Sequence, residues 1–120
     1  MGLVRSIGQA INIIESGSNE NGNWIKFNDG TLIQYGNKEI SNIQINTSSI
    51  GNYMSAGQNI NFPIPFEEAI CGNVSLRGGS AFFITKRFIS NTVMGYFVLS
   101  GSSATLSSAI LDWFAIGKWK

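Results

Sequence analysis

From Trp24 onward, apolar and polar positions alternate with a period of two, the mark of half-buried β-strands. Trp24-Ile25-Lys26-Phe27 and Thr31-Leu32-Ile33-Gln34-Tyr35 are short runs rich in β-branched and aromatic residues, with Asn28-Asp29-Gly30 between them. Glycine accepts a positive φ and aspartate tolerates one, so this run predicts a hairpin. Ile43 and Ile45 alternate with Asn42 and Gln44 and predict a further strand. Residues 46–59 read as a long polar loop carrying Ile50, Tyr53 and Met54. Pro63 and Pro65 cannot both occupy a central strand, so they mark an edge or an exit. Four more strands are expected over 72–76, 81–85, 92–99 and 111–119. Residues 88–91 turn into the third of these or belong to its partner, and 101–108 read as a loop of small residues.

In the last run, Trp113, Ala115, Gly117 and Trp119 share one face, while Phe114, Ile116 and Lys118 share the other. Both faces carry large apolar groups. One must meet the core, and the other a second sheet, another subunit or a ligand. Several short strands with no helical period after residue 24 predict an all-β chain, a sandwich or a barrel.

The first 23 residues follow another pattern. Val4, Ile7, Ile11 and Ile14 are spaced three, four and three, a heptad stripe, and isoleucine at both positions favours three helices over two. The stripe is only two heptads long, and the alternative is a short strand over 11–14. Residues 15–23 are polar and rich in Gly and Asn, and read as a linker or loop. The expected organisation is a stem segment over 1–23 and a β-domain over 24–120.

Composition narrows the chemistry. Only 12% of the 120 residues are charged, about half the usual share, so uncharged hydrogen-bonding groups or subunit contacts must cover the surface. The net charge of +1 has no basic footprint for nucleic acid, and the only adjacent cations are Lys86 and Arg87. No apolar run reaches the roughly 20 residues of a membrane span, and no signal peptide is expected. Histidine is absent, which removes Ser-His-Asp and Cys-His catalysis and the commonest metal ligand. The single cysteine, Cys71, is expected to be a small buried hydrophobe. Glu67 and Glu68 are the only clustered carboxylates, and neighbours on a strand face opposite ways. No catalytic residue, metal or cofactor is therefore expected.

Three stretches then occur in a recognisable order: NGNWIKFNDGTLIQYG, INFPIPFEEA and the closing DWFAIGKWK. Together they resemble the C-terminal domain of tail-fibre proteins of bacteriophages and prophages, and the preceding IIESGSNENG resembles the segment leading into it. In outline the chain is also similar to the H-type lectins, through Phe62-Pro63 and the closing aromatic-Ala-Ile-Gly. The resemblance implies an antiparallel β-sandwich, a homotrimer and binding to a bacterial cell-surface saccharide from the distal end of the fibre, as part of the virion. A histidine that some of those lectins use for sugar contact has no counterpart here.

Sugar sites pair an aromatic face with polar groups for hydroxyls, and recognition residues concentrate on loops. The candidate ligand contacts are Asn52 and Tyr53 in the polar loop, Arg77 beside the Gly-Gly turn, and Arg87 and Asn91 around another turn. Val4, Ile7, Ile11, Ile14, Trp24, Phe27, Trp113, Phe114 and Ile116 are expected in the core or at a trimer interface. A polysaccharide-degrading enzyme and a purely structural trimerisation cap are the alternatives.

Overall fold

A computed structural model describes residues 10–78 and 81–120. Nine strands account for most of them: β1 (Ile13–Asn19), β2 (Gly22–Phe27), β3 (Thr31–Ser49), β4 (Asn52–Ser55), β5 (Gln58–Asn61), β6 (Glu68–Arg77), β7 (Phe82–Ile89), β8 (Val93–Ser100) and β9 (Ala104–Lys118). All pairings are antiparallel and join one sheet.

The Asp29-Gly30 hairpin forms as expected. Gly30 has φ 97°, its amide donates to the Phe27 carbonyl at 3.1 Å, and Asp29 Oδ1 accepts from the Thr31 amide at 2.9 Å. That turn sets Trp24 opposite Gln34 and Asn23 opposite Tyr35. On its other edge β3 pairs with β9 from Thr31↔Lys118 to Ile45↔Ala104, and β9 pairs onward with β6. At ~3.3 Å per residue a 19-residue strand spans up to roughly 63 Å, so β3 alone accounts for the 57 Å length of a molecule only 28 and 23 Å across.

The sheet folds over so that β5 and β8 lie across from β3, β6 and β9. Leu32, Ile45, Leu106, Leu111 and Ala115 from one layer and Met94, Val98 and Ile60 from the other form the core, all nearly inaccessible. Gly72 on β6 brings the layers close: a Cβ there would stand 2.8 Å from Met94 Sδ. Inward positions are even-numbered on β3 up to Ile40 and odd-numbered from Ile43, while on β9 they shift between Leu106 and Ala109. The register does not break there, since Ser41↔Ser108 and Ile43↔Leu106 belong to one ladder. Asn42 takes up the change with φ 53°, a left-handed conformation that asparagine tolerates better than most residues.

Several expectations need correction. Residues 15–23 are not a linker but most of the β1–β2 hairpin, because polar side chains on wet faces do not prevent a backbone ladder. Of the heptad stripe, Ile14 lies in β1, Ile11 precedes that strand in no regular element, and Val4 and Ile7 lie outside the described residues. Residues 46–59 are not one loop: they hold the end of β3, a turn at Ile50-Gly51, β4 and the start of β5. The small-residue run 101–108 contains the first five residues of β9. Cys71 is exposed, because a register shift between Ala69 and Cys71 turns it to the outer face.

Candidate functional site

The five residues expected to touch ligand are not gathered in one place. Asn52 and Tyr53 open β4 beside the Ile50-Gly51 turn. Arg77 makes a two-pronged contact with Asp112, Nε to Oδ2 at 3.0 Å and Nη2 to Oδ1 at 2.8 Å. Those hydrogen bonds, followed by the Arg77 charge, hold the Asp112 carboxyl below its ordinary pKa. Arg87 stacks over Phe88 and Phe97 at 5.5 and 5.3 Å. Asn91 ties two segments together, its Nδ2 donating to the Glu67 carbonyl and its Oδ1 accepting from the Ala69 amide.

The residues expected in the core or at an interface divide by face. Trp113 is 4% exposed, with its ring 5.7 Å from that of Phe62. Trp24 packs partly buried against the core, and its Nε1 donates to Glu15. Phe27 is half-buried at the end of β2. Phe114 and Ile116 point outward, where the strand registers align two rows across the sheet. Ile25, Ile33, Ile116 and Cys71 form one, and Asn23, Tyr35, Phe114 and Asn73 the next. Tyr35 is 43% exposed and Phe114 44%.

A concavity lies on the free edge of β3. Strand β2 covers that edge as far as Tyr35, and β4 begins to cover it only at Ile45. Between them a polar cleft of about 570 Å³ opens against the β1–β2 turn, and one of about 320 Å³ continues it toward β5. Glu20, Asn37 and Trp113 line both. The hairpin tip is anchored, with Asn19 Nδ2 donating to the Pro63 carbonyl at 2.9 Å. Lys38 spans to β5, its Nζ on the Asn59 carbonyl at 3.4 Å.

Two glycines shape the floor. A Cβ on Gly22 would come within 2.9 Å of the Trp113 ring and 2.8 Å of the Tyr35 carbonyl. One on Gly36 would stand 3.2 Å from Trp113 Nε1. Without them the indole could not lie against the edge of β3. The sequence reading missed this cleft because it took 15–23 for a linker. The signal was present: the Asp-Gly register sets Asn23 beside Tyr35, and with it Gly22 beside Gly36-Asn37.

Comparisons with known proteins fit this architecture. A fragment comprising the C-terminal residues of the P. aeruginosa R1 pyocin fibre superposes with a TM-score of 0.63 at 17% identity, over 92% of this chain and 28% of that one. An N-truncated R1-type pyocin tail fibre gives 0.63 at 18% identity, over 92% and 87%. An N-truncated R2-type pyocin tail fibre gives 0.55 at 20% identity, over 92% and 39%. The likeness to these structures is one of fold, and the chain spans less than a third of the first. No curated protein sequence matches. Residues 26–118, most of the chain, match the family described as "Putative tail fiber protein gp53-like, C-terminal". The chain therefore belongs to the family of gp53-like tail-fibre C-terminal domains.

Proposed function

We propose that this domain is the host-recognition module at the distal end of a phage or prophage-derived tail fibre, acting as a non-catalytic homotrimer that binds a saccharide on the bacterial surface. Membership of the tail-fibre family over residues 26–118 carries this reading. Two features support it. The outward rows centred on Ile33-Ile116 and Tyr35-Phe114 leave more apolar surface in water than a chain with so few charges would keep uncovered. Burying them between three copies of a sandwich-like domain removes that cost. The β3-edge cleft offers amides, carboxylates and the edge of an indole to a polyhydroxylated ligand. Trivalence would then raise weak single-site affinity on a repetitive surface. The non-catalytic part of the reading rests on the absence of histidine from the sequence and on the exposed position of Glu67 and Glu68 at the entry to β6.

Sedimentation of the purified chain, paired with adsorption to a panel of bacterial strains, tests the proposal. A mass of three protomers and saturable, strain-dependent adsorption are expected. A monomer at micromolar concentration overturns the trimer. A trimer that adsorbs to no strain and no wall polysaccharide favours the structural cap. Release of reducing ends from host polysaccharide overturns the non-catalytic reading.

A further inference from the structure

The cleft on the β3 edge holds an unmet hydrogen-bond donor. Trp113 is 4% exposed, yet its indole N–H donates to no acceptor among the described residues, whereas Trp24 and Trp119 bond theirs to Glu15 and the Phe27 carbonyl. No side-chain nitrogen or oxygen fully shut off from solvent lacks a partner among those residues. The Trp113 N–H therefore reaches solvent, and it does so beside Gly36 on the wall of the cleft. A nearly buried donor in a polar recess is met by water or by a ligand oxygen.

The charges around it select the ligand. Glu20 and Glu39 line the cleft with no cation within ion-pair distance among the described residues. The cleft's only lysine, Lys38, is turned to the Asn59 carbonyl, and Arg77 is already committed to Asp112. Amides of Asn23 and Asn37 complete the wall. Carboxylates and amide oxygens take hydroxyl hydrogens, amide nitrogens give to hydroxyl oxygens, and a phosphate or uronate would meet like charge. The volume of about 570 Å³ lies within the ~300–1,000 Å³ of ordinary ligand sites.

We infer that this cleft binds a saccharide without acidic groups, with the Trp113 N–H as its central donor and Glu20 and Glu39 as acceptors that exclude polyanions. The inference rests on the recognition reading above and names its site and ligand class.

The test uses the whole chain on an array of neutral hexose and N-acetylhexosamine oligosaccharides beside uronate- and glycerol-phosphate-containing counterparts. Neutral members should bind. Glu20→Lys and Asn37→Arg, both at exposed positions, should each weaken that binding at least tenfold, and Trp113→Phe about tenfold. Thr47→Lys, also exposed but outside the cleft, should bind as the parent does. Should Trp113→Phe melt early, the two surface variants decide alone. Binding confined to acidic members overturns the inference. So does parental binding by the cleft variants, and if these still adsorb to cells, host recognition stands with its site elsewhere. A chain that binds no glycan and adsorbs to no strain sinks both readings.

Discussion

The ladder of β3 against β9 is built in two ways along its length. Its inner face is mainly apolar, with Leu32, Ile40, Ile43, Leu106, Ala109 and Ala115, and its one fully buried polar side chain, Gln34, is bonded to the backbone of Ile64. Its outer face changes character. Near the Asp29-Gly30 turn it shows Ile33 beside Ile116 and Tyr35 beside Phe114, and further on it shows Asn37 beside Asp112 and Ser41 beside Ser108. One strand pair therefore serves two environments on a single side. The inner face explains why the chain folds. On the proposed reading the apolar outer half meets another protomer, while the polar half stays in water and borders the cleft.

The sharpest way to break the comparison is to damage the face that both halves share. Leu111 is fully buried between Lys38 on β3 and Leu76 on β6. Leu111→Ala should cost about 2–5 kcal/mol, from lost transfer energy plus the cavity left behind. That is a large part of the roughly 5–15 kcal/mol that holds a typical domain together. Chemical denaturation should show it directly, at fixed protein concentration because trimerisation would couple to folding.

Substitution on the outer face should separate the halves. Phe114→Asp places a charge in the middle of the apolar rows, and the sedimenting mass should fall to one protomer while circular dichroism keeps the β signature. Ser41→Asp puts the same charge on the polar half and should leave the mass unchanged. Equal loss of association from both variants would remove the distinction between the halves.

How much of this was readable in advance follows the range of the interactions. Asp29-Gly30 announced its hairpin because a turn is decided by its own residues. The alternation of Trp113 and Ala115 against Phe114 and Ile116 gave the two faces of β9 correctly, since a period of two is local as well. The polar strands were hidden. Residues 46–49 and 52–55 pair with each other across Ile50-Gly51, β4 is then met by β8 and 104–108 by β3, and where outward side chains stay wet such pairing demands few apolar ones. Cys71 was misjudged because one extra residue at the bulge reverses the alternation. The cleft was the hardest to see. It exists because β2 stops and β4 starts at different points on one edge of β3, a fact of three-strand geometry that no single segment records.

A smaller effect should appear where the inward parity of the ladder switches. Asn42 holds φ 53° between Ile40 and Ile43, both of which face inward. A β-branched residue pays about 1–2 kcal/mol for that conformation, so Asn42→Val should lower the unfolding free energy by about that much. Asn42→Gly should sit within about 1 kcal/mol of the parent. If valine is tolerated as well as glycine, the left-handed residue is not what lets both strands change face together.

The smallest effect belongs to the Arg77–Asp112 pair, which joins β6 to β9 on the polar half and borders the cleft. Both side chains are well exposed, 59% and 39%, so water screens the pair and its removal should hardly move the melting temperature. Its signature is in pH instead. Hydrogen bonds from Arg77 and then its charge favour the ionised carboxylate, so the folded pKa of Asp112 lies below the ordinary aspartate value of about 3.9. A depressed folded pKa contributes stability at pH values above that ordinary value, and the contribution disappears as pH falls through the folded pKa. Carboxyl chemical shifts followed by NMR should therefore place the Asp112 midpoint below that of a free aspartate in the parent and higher in Arg77→Met. The small stability difference between the two proteins should vanish at the acid end. An unchanged Asp112 midpoint in Arg77→Met would mean that the guanidinium does not hold the carboxylate in solution. Arg77 would then be free to meet anions at the rim of the cleft, and the inferred bias of the outer polar half toward uncharged ligands would lose its support.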